Sequence, residues 1–255
     1  RSGSRAPIVF LSMHESDDFV GHGFRSGARG YVVKTRLHED LVMALERVLS
    51  GQLFVPSLKS LMALEQDQSR HAVQIYSDDH ACVEGLSGFV NLALRRGDVV
   101  SVVSTPPIRA GIAERLRKQG WNVGESGQHG RYRASDSADA EAALVRDGHA
   151  CRNCIEEALA ELDEWRLADA AGPGARVTVV GEISAGMLLN GNSRPAIELE
   201  QLWGELTRTR PFQTVCFYPI ERFSDQADAN LLPHLCAEHD AVTHAPEDPA
   251  RFLLA

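Results

Sequence analysis

The run Val99-Val100-Ser101-Val102-Val103 holds four valines and no charge, and it lies between a helix-stopping Gly97 and the turn Thr105-Pro106-Pro107. A segment so short and so apolar has no solvent face, so it belongs inside a parallel sheet covered on both sides. Comparable runs recur at Ile8 to Ser12, Tyr31 to Val33, Val73 to Tyr76, Arg176 to Val180 and Thr214 to Tyr218. Between them lie stretches with helical spacing. Asp79 to Arg96 carries Val83, Leu86, Phe89, Val90, Ala93 and Leu94 on one side, and Ile108, Ile112 and Leu116 follow a Thr-Pro-Pro opening at fourfold spacing. Further helices are expected from Asp17 to about Ser26, from about His38 to Leu49, around Cys154 to Leu162, from Ser193 onward, and from Asn230 to about Glu238. Strands alternating with helices define a layered α/β protein.

With 255 residues and 44% hydrophobic content, the chain is large enough for two folded units. The reading divides it into residues 1–57, a linker or connector helix over 58–70 and a larger unit over 71–255. Seven of the 26 Lys/Arg and six of the 35 Asp/Glu precede residue 58, so the remainder carries 19 against 29 and is the acidic part. Such a surface repels phosphate backbones, so no direct nucleic-acid partner is expected. No run approaches a membrane span, and five cysteines in a chain this long fit reduced thiols better than a disulfide framework. The chain reads as soluble and cytoplasmic, without a membrane partner.

In the first unit, Ile8 to Ser12 should be a central strand, Asp17 to about Ser26 a helix with Phe19 on its core face, and Tyr31 to Val33 a second strand. A helix striped by Leu41, Ala44, Leu45 and Val48 follows, completing a βαβα unit. The run Pro7-Ile8-Val9-Phe10-Leu11-Ser12-Met13-His14-Glu15, the turn Arg25 to Tyr31, and Lys34 directly after the second strand resemble the second half of a response-regulator receiver domain, a flavodoxin-like fold. The resemblance implies that Ser12 and Lys34 contact a phosphoryl group and that Tyr31 changes rotamer with activation. Hydroxyl and ammonium at the carboxyl ends of adjacent parallel strands suit that chemistry. The phosphoaccepting Asp belongs to the other half of a receiver, so this chain is not expected to accept a phosphoryl group. Thr35 replaces the proline that usually follows the lysine.

In the second unit, the strand entering Thr105-Pro106-Pro107 sits where P-loop proteins hold phosphate, yet no G-x-x-x-x-G-K-[ST] run is present. Glu182 follows directly on a buried strand and reads as a pocket residue or a helix cap. Cys151-x-x-Cys154 and Cys236-x-x-His239 together could compose a Cys₃His zinc site. Cys154 falls on the apolar stripe of its helix, however, and free cysteines are commonly buried. No metal and no cofactor are therefore expected. No nucleophile elbow is present, and His129, His149 and His244 lie in polar, loop-like sequence.

From His71 through Val242 the sequence resembles the MEDS family of sensory domains. The resemblance is carried by His71 to Tyr76 with Asp78 and Asp79, Val99 to Gly120, Gly181-Glu182, Leu189 and Gly191-Asn192. It continues through Leu199-Glu200-x-x-Trp203-x-x-Leu206, Cys216-x-Tyr218-Pro219 and Cys236-x-x-His239. It implies a RecA-like fold without nucleotide machinery and a role in sensing small hydrocarbon derivatives. A ligand pocket is expected at the strand ends, lined by His71, Tyr76, Thr105, Glu182, Cys216, Tyr218, Cys236 and His239. The expectation is a non-enzymatic signalling protein, a receiver-type unit joined to a small-molecule sensor, with a sensor histidine kinase or another signalling protein as partner and a homodimer possible. The rival reading is a RecA-like nucleotide-binding enzyme or regulator.

Overall fold

A computed structural model of the chain describes residues 6–57, 70–76, 78–123, 128–170, 172, 174–219 and 231–244. The connector expected over 58–70 lies outside the described residues except for Arg70.

One sheet of ten strands runs through both segments. Its strands are β1 (Val9–Ser12), β2 (Gly30–Val33), β3 (Leu53–Phe54), β4 (Arg70–Tyr76), β5 (Val99–Ser104), β6 (Gln128–His129), β7 (Tyr132–Asp136), β10 (Val177–Gly181), β11 (Phe212–Pro219) and β12 (Ala241–His244). A separate hairpin pairs β8 (Val145–Arg146) with β9 (His149–Ala150). The sheet order is β1-β2-β3-β12-β4-β11-β10-β5-β7-β6, and every pairing in it is parallel except β6 with β7. The expected α/β class is therefore present, as an open, mostly parallel sheet. β5 is buried at every residue, as its valines require.

The helices are α1 (Asp17–Arg25), α2 (Leu37–Leu49), α3 (Asp79–Arg96), α4 (Pro106–Lys118), α5 (Ser137–Leu144), α6 (Arg152–Asp169), α7 (Ile183–Leu189), α8 (Ser193–Thr207) and α9 (Leu231–Ala237). Alternation along β4 sends Ala72 and Tyr76 into a core with Leu86, Phe89 and Ile112 of α3 and α4. Val73 and Ile75 point the other way, into a core with Ala44 of α2, Ala185 of α7 and Leu235 of α9. Trp165, Leu199 and Trp203 of α6 and α8 cover Val177 and Val179 on that second face. Helices therefore pack on both sides, which is what strands without a polar face demand.

Several expectations need correction. β1 was expected to be central but is an edge strand, and Phe10 and Leu11 remain 39% and 45% exposed because no strand pairs on its outer side among the described residues. Leu45 and Phe19, assigned to core faces, are likewise exposed, since α2 turns Ala44 and Val48 inward and Phe19 stacks on His14 instead. Residues read as polar loop around His129 and His149 form β6, β7, α5 and the β8–β9 hairpin, and His244 closes β12. Cys151 and Cys154 are joined by a disulfide rather than free. Cys151 caps α6 and Cys154 lies one turn inside it, which sets their Cα atoms 5.2 Å apart, within the reach of such a bond. Cys82, Cys216 and Cys236 are free thiols.

Candidate functional site

The eight residues expected to line one pocket fall into two groups and an outlier. Tyr76, Thr105 and Glu182 sit at the carboxyl ends of β4, β5 and β10. His71, Cys216, Tyr218 and His239 meet on the second face of the sheet, His71 from the amino-terminal end of β4, His239 from just before β12, and Cys216 and Tyr218 from the middle and carboxyl-terminal part of β11. Cys236 is wholly buried in α9 and packs in the core beside Tyr218, and its thiol is pushed up to about 11 by burial that outweighs the pull of Arg47.

At the carboxyl edge, one Glu182 oxygen accepts hydrogen bonds from the Ser104 hydroxyl at 2.6 Å and from the Thr105 backbone N–H. Thr105 does begin α4, but its side chain makes no capping bond. Glu182 precedes α7 without capping it either, so its carboxylate works across the sheet, tying the end of β10 to the start of α4. Burial, then the negative charges of Cys82 and Glu182, raise the Tyr76 phenol far above its ordinary value.

The second group is organised by β11. Thr214, Cys216 and Tyr218 alternate onto one face, and the register sets Thr214 beside His71 of β4. Helix α8 lies over this face: Trp203 Nε1 donates to Thr214 Oγ1 at 2.9 Å. Glu200, three residues before Trp203, turns the same way, and Tyr218 donates its hydroxyl hydrogen to Glu200 Oε1. The other oxygen, Oε2, lies 3.1 Å from His71 Nε2, 3.4 Å from Cys216 Sγ and 3.4 Å from His239 Nε2. His71 Nε2 and Cys216 Sγ are 3.3 Å apart, and the two imidazole rings stand 4.1 Å apart between centroids. His239 arrives from the turn between α9 and β12 with its Nδ1 held 2.6 Å from the Leu235 carbonyl oxygen. Burial would raise the Glu200 carboxyl, but the hydrogen bond from His71, the charges of His239 and His71 and the Tyr218 hydroxyl hold it far below the carboxylate range. Burial first, and then His71, push His239 down to about 3 against the attraction of Glu200.

Glu200 was absent from the site expected from sequence. The available signal was its position: an acidic residue inside the apolar stripe Leu199-x-x-x-Trp203 of a buried helix is costly unless it has partners.

The cluster stands between two openings. A cleft of about 840 Å³ at the amino-terminal sheet edge is lined by His71, His239, Gln52, Gly204, Arg208 and Asp240 among others. A small cavity of about 30 Å³ touches Glu200, Cys216, Trp203 and Thr214 from within. Gln52 binds the turn that carries His239, donating through Nε2 to the Cys236 carbonyl and, at 2.9 Å, to the His239 carbonyl. The Cys₃His combination that the spacing alone could offer is not assembled, because Cys151 and Cys154 are bonded to each other and the groups around His239 are His71, Glu200 and Cys216.

In the first segment, Ser12 and Lys34 sit at the same edge of two paired strands: Ser12 is in register with Val33, and Lys34 follows it, exposed. Tyr31 is buried, and its hydroxyl donates to the His14 carbonyl at 2.8 Å, while the His14 N–H donates to Ser12 Oγ at 3.1 Å.

The fold is an open, mostly parallel α/β sheet that carries a buried polar cluster of His71, Glu200, Cys216 and His239. Residues 70–234 match the family profile of MEDS, the MEthanogen/methylotroph, DcmR Sensory domain, and the chain belongs to that family. It is also similar to the oxygen regulatory protein NreC of Staphylococcus haemolyticus, 28% identical over 109 residues, covering 43% of this chain and 47% of that one. The same-named protein of Staphylococcus epidermidis is 33% identical over 48 residues, 19% of this chain and 22% of that one. The chain thus spans less than half the length of these relatives. Among solved structures, one from a structural study of PH0250 of Pyrococcus horikoshii OT3 aligns with TM-score 0.49 and 12% identity over 75% of this chain and 88% of that one. The MEDS profile and the partial likeness to NreC support a signalling protein in general terms. No helix among the described residues is long and apolar enough to cross a membrane.

Proposed function

We propose that this chain is a non-enzymatic signalling module whose MEDS domain binds a small organic molecule in the cleft at the amino-terminal sheet edge and transmits occupancy to a receiver-type segment. The observation that carries the reading is the cleft itself, of about 840 Å³, whose wall includes the buried His71 and His239 and is shared by Gln52 of the first segment. Its volume is that of a small-molecule site. A ligand that displaces the His239 turn also disturbs the carbonyls that Gln52 holds, so binding and the first segment share one physical element. Ser12, Tyr31 and Lys34 would form the phosphate-responsive end of that segment, with a sensor histidine kinase or another signalling protein, and a second copy of the chain, as partners.

The nucleotide-binding alternative meets a local obstacle. The crevice at the start of α4 already holds the Glu182 carboxylate on the Thr105 amide, and Pro106 and Pro107 remove the next two donors that a phosphate would use. A thermal-shift panel of short haloalkanes, alcohols and amines, run beside ATP with Mg²⁺, tests the reading. Stabilisation by a member of the organic set, lost in His71→Ala, is the expected result. Stabilisation by ATP alone would overturn it.

A further inference from the structure

We propose that His71, Glu200, Cys216 and His239 form a binding site for a divalent transition-metal cation of the zinc type. The inference goes beyond the sensing reading and stands without it, since it concerns the cation alone.

The donor atoms are two imidazole nitrogens, a carboxylate oxygen and a sulfur, all within 4.8 Å of one another. A four-coordinate zinc centre, with bonds of about 2.0–2.1 Å to nitrogen or oxygen and about 2.3 Å to sulfur, sets its ligand atoms roughly 3.3–3.6 Å apart. Four of the six separations here are 3.1, 3.3, 3.4 and 3.4 Å, close to that spacing, and the other two, from His239 to His71 and to Cys216, lie within 4.8 Å, so His239 is the ligand that must draw in. The ligands come from β4, α8, β11 and the turn before β12, so the fold and not a local loop brings them together.

Two of the ligands, His239 and Glu200, have the outer contacts that metal ligands need, whereas Nδ1 of His71 has no hydrogen-bond partner. Nδ1 of His239 donates to the Leu235 carbonyl, which fixes Nε2 as the nitrogen with a free lone pair. That Nε2 is buried and has no hydrogen-bond partner, a cost that coordination removes. Tyr218 occupies Glu200 Oε1 and leaves Oε2 for the cation. Charge agrees as well: Glu200 carries one negative charge, and a cation displaces the Cys216 thiol proton to solvent, so carboxylate and thiolate neutralise a divalent ion. In the metal-free protein that proton bridges Cys216 Sγ and Glu200 Oε2, the position the cation would take. The cleft is walled by His71 and His239, so only a small shift of these side chains separates the buried donors from solvent.

The experiment is a titration of the full chain with Co²⁺ after exhaustive dialysis against a chelator, followed by visible and near-ultraviolet absorption. The expected result is a thiolate-to-cobalt charge-transfer band with strong four-coordinate d–d bands, saturating at one equivalent and bleached by Zn²⁺. The Cys216→Ser variant should lose the charge-transfer band, while a Cys151→Ser/Cys154→Ser double variant should keep it. Absence of these bands in a wild-type chain that circular dichroism shows to be folded would overturn the proposal. So would their persistence in Cys216→Ser, or their loss in the double variant. Because no organic molecule is present, failure here leaves the thermal-shift result untouched, and a failed organic panel leaves the cobalt spectrum untouched.

Discussion

The hydroxyl of Tyr218 donates to Oε1 of Glu200 from within the same core that buries Leu235 and Cys236, so a single phenol decides which carboxylate oxygen faces the two imidazoles and the thiol. Removing that hydroxyl in Tyr218→Phe takes away a hydrogen bond to a charged acceptor and should cost roughly 1.5–3 kcal/mol. Glu200→Gln removes the charge that pairs with His71 and should cost more, on the order of 3–5 kcal/mol. Urea unfolding of both variants and of the double variant checks the order. Strict additivity of the two would contradict their sharing one carboxylate.

Glu182→Ala leaves the fully buried Ser104 hydroxyl without its acceptor, whereas the Thr105 amide, on an exposed residue, can turn to water. The loss should therefore resemble that of one buried donor, about 1–3 kcal/mol. ATP with Mg²⁺ should leave the melting temperature of the native chain unchanged. A nucleotide-dependent rise in the native protein would show that Glu182 gives way to phosphate.

Gln52→Ala should loosen the seam beside it. Leu53 and Val55 donate their N–H groups to the Asp240 and Val242 carbonyls at 3.0 and 3.1 Å, and Gln52 anchors the turn that positions those carbonyls. Hydrogen exchange should accelerate at Leu53 and Val55, with little change at Val102 or Val180 in the far part of the sheet. Equal acceleration everywhere would mean general destabilisation instead of a local seam.

Thiol chemistry should separate the five cysteines. Cys82 is fully buried, and burial, followed by the charges of Glu182, Asp79 and Asp78, raises its thiol well above the ordinary value. Iodoacetamide should leave Cys82 unmodified in the folded chain and label it in denaturant. Cys151 and Cys154 should take label only after reduction. Native labelling of Cys151 without reductant would refute their pairing.

Much of the layering is legible in the residues themselves. The valine run of β5 dictates a strand covered on both faces, and α3 spans Asp79–Arg96 as its apolar spacing and the following Gly97 require. The resemblance carried by residues 71–242 likewise leads to the family that the profile identifies over 70–234. What escaped lies where burial is one-sided or brief. β7, Tyr-Arg-Ala-Ser-Asp, lies near the sheet margin and needs few apolar residues, and β12 follows the polar run Glu238-His239-Asp240 with only four residues of its own. The site was only half legible for a related reason. His71, Cys216, Tyr218 and His239 stand out by chemical type, but their meeting point is set by the β4–β11 register and by Glu200 reaching down from α8, neither of which a linear pattern records.

The place of β12 also bears on the birth of the molecule. It lies between β3 and β4, yet β3 and β4 emerge from the ribosome long before it. Until residues 241–244 leave the exit tunnel, those two earlier strands lack the neighbour that joins them, and each presents an open edge to other nascent chains. A synonymous slowdown late in translation should therefore lengthen the vulnerable interval without altering the finished protein.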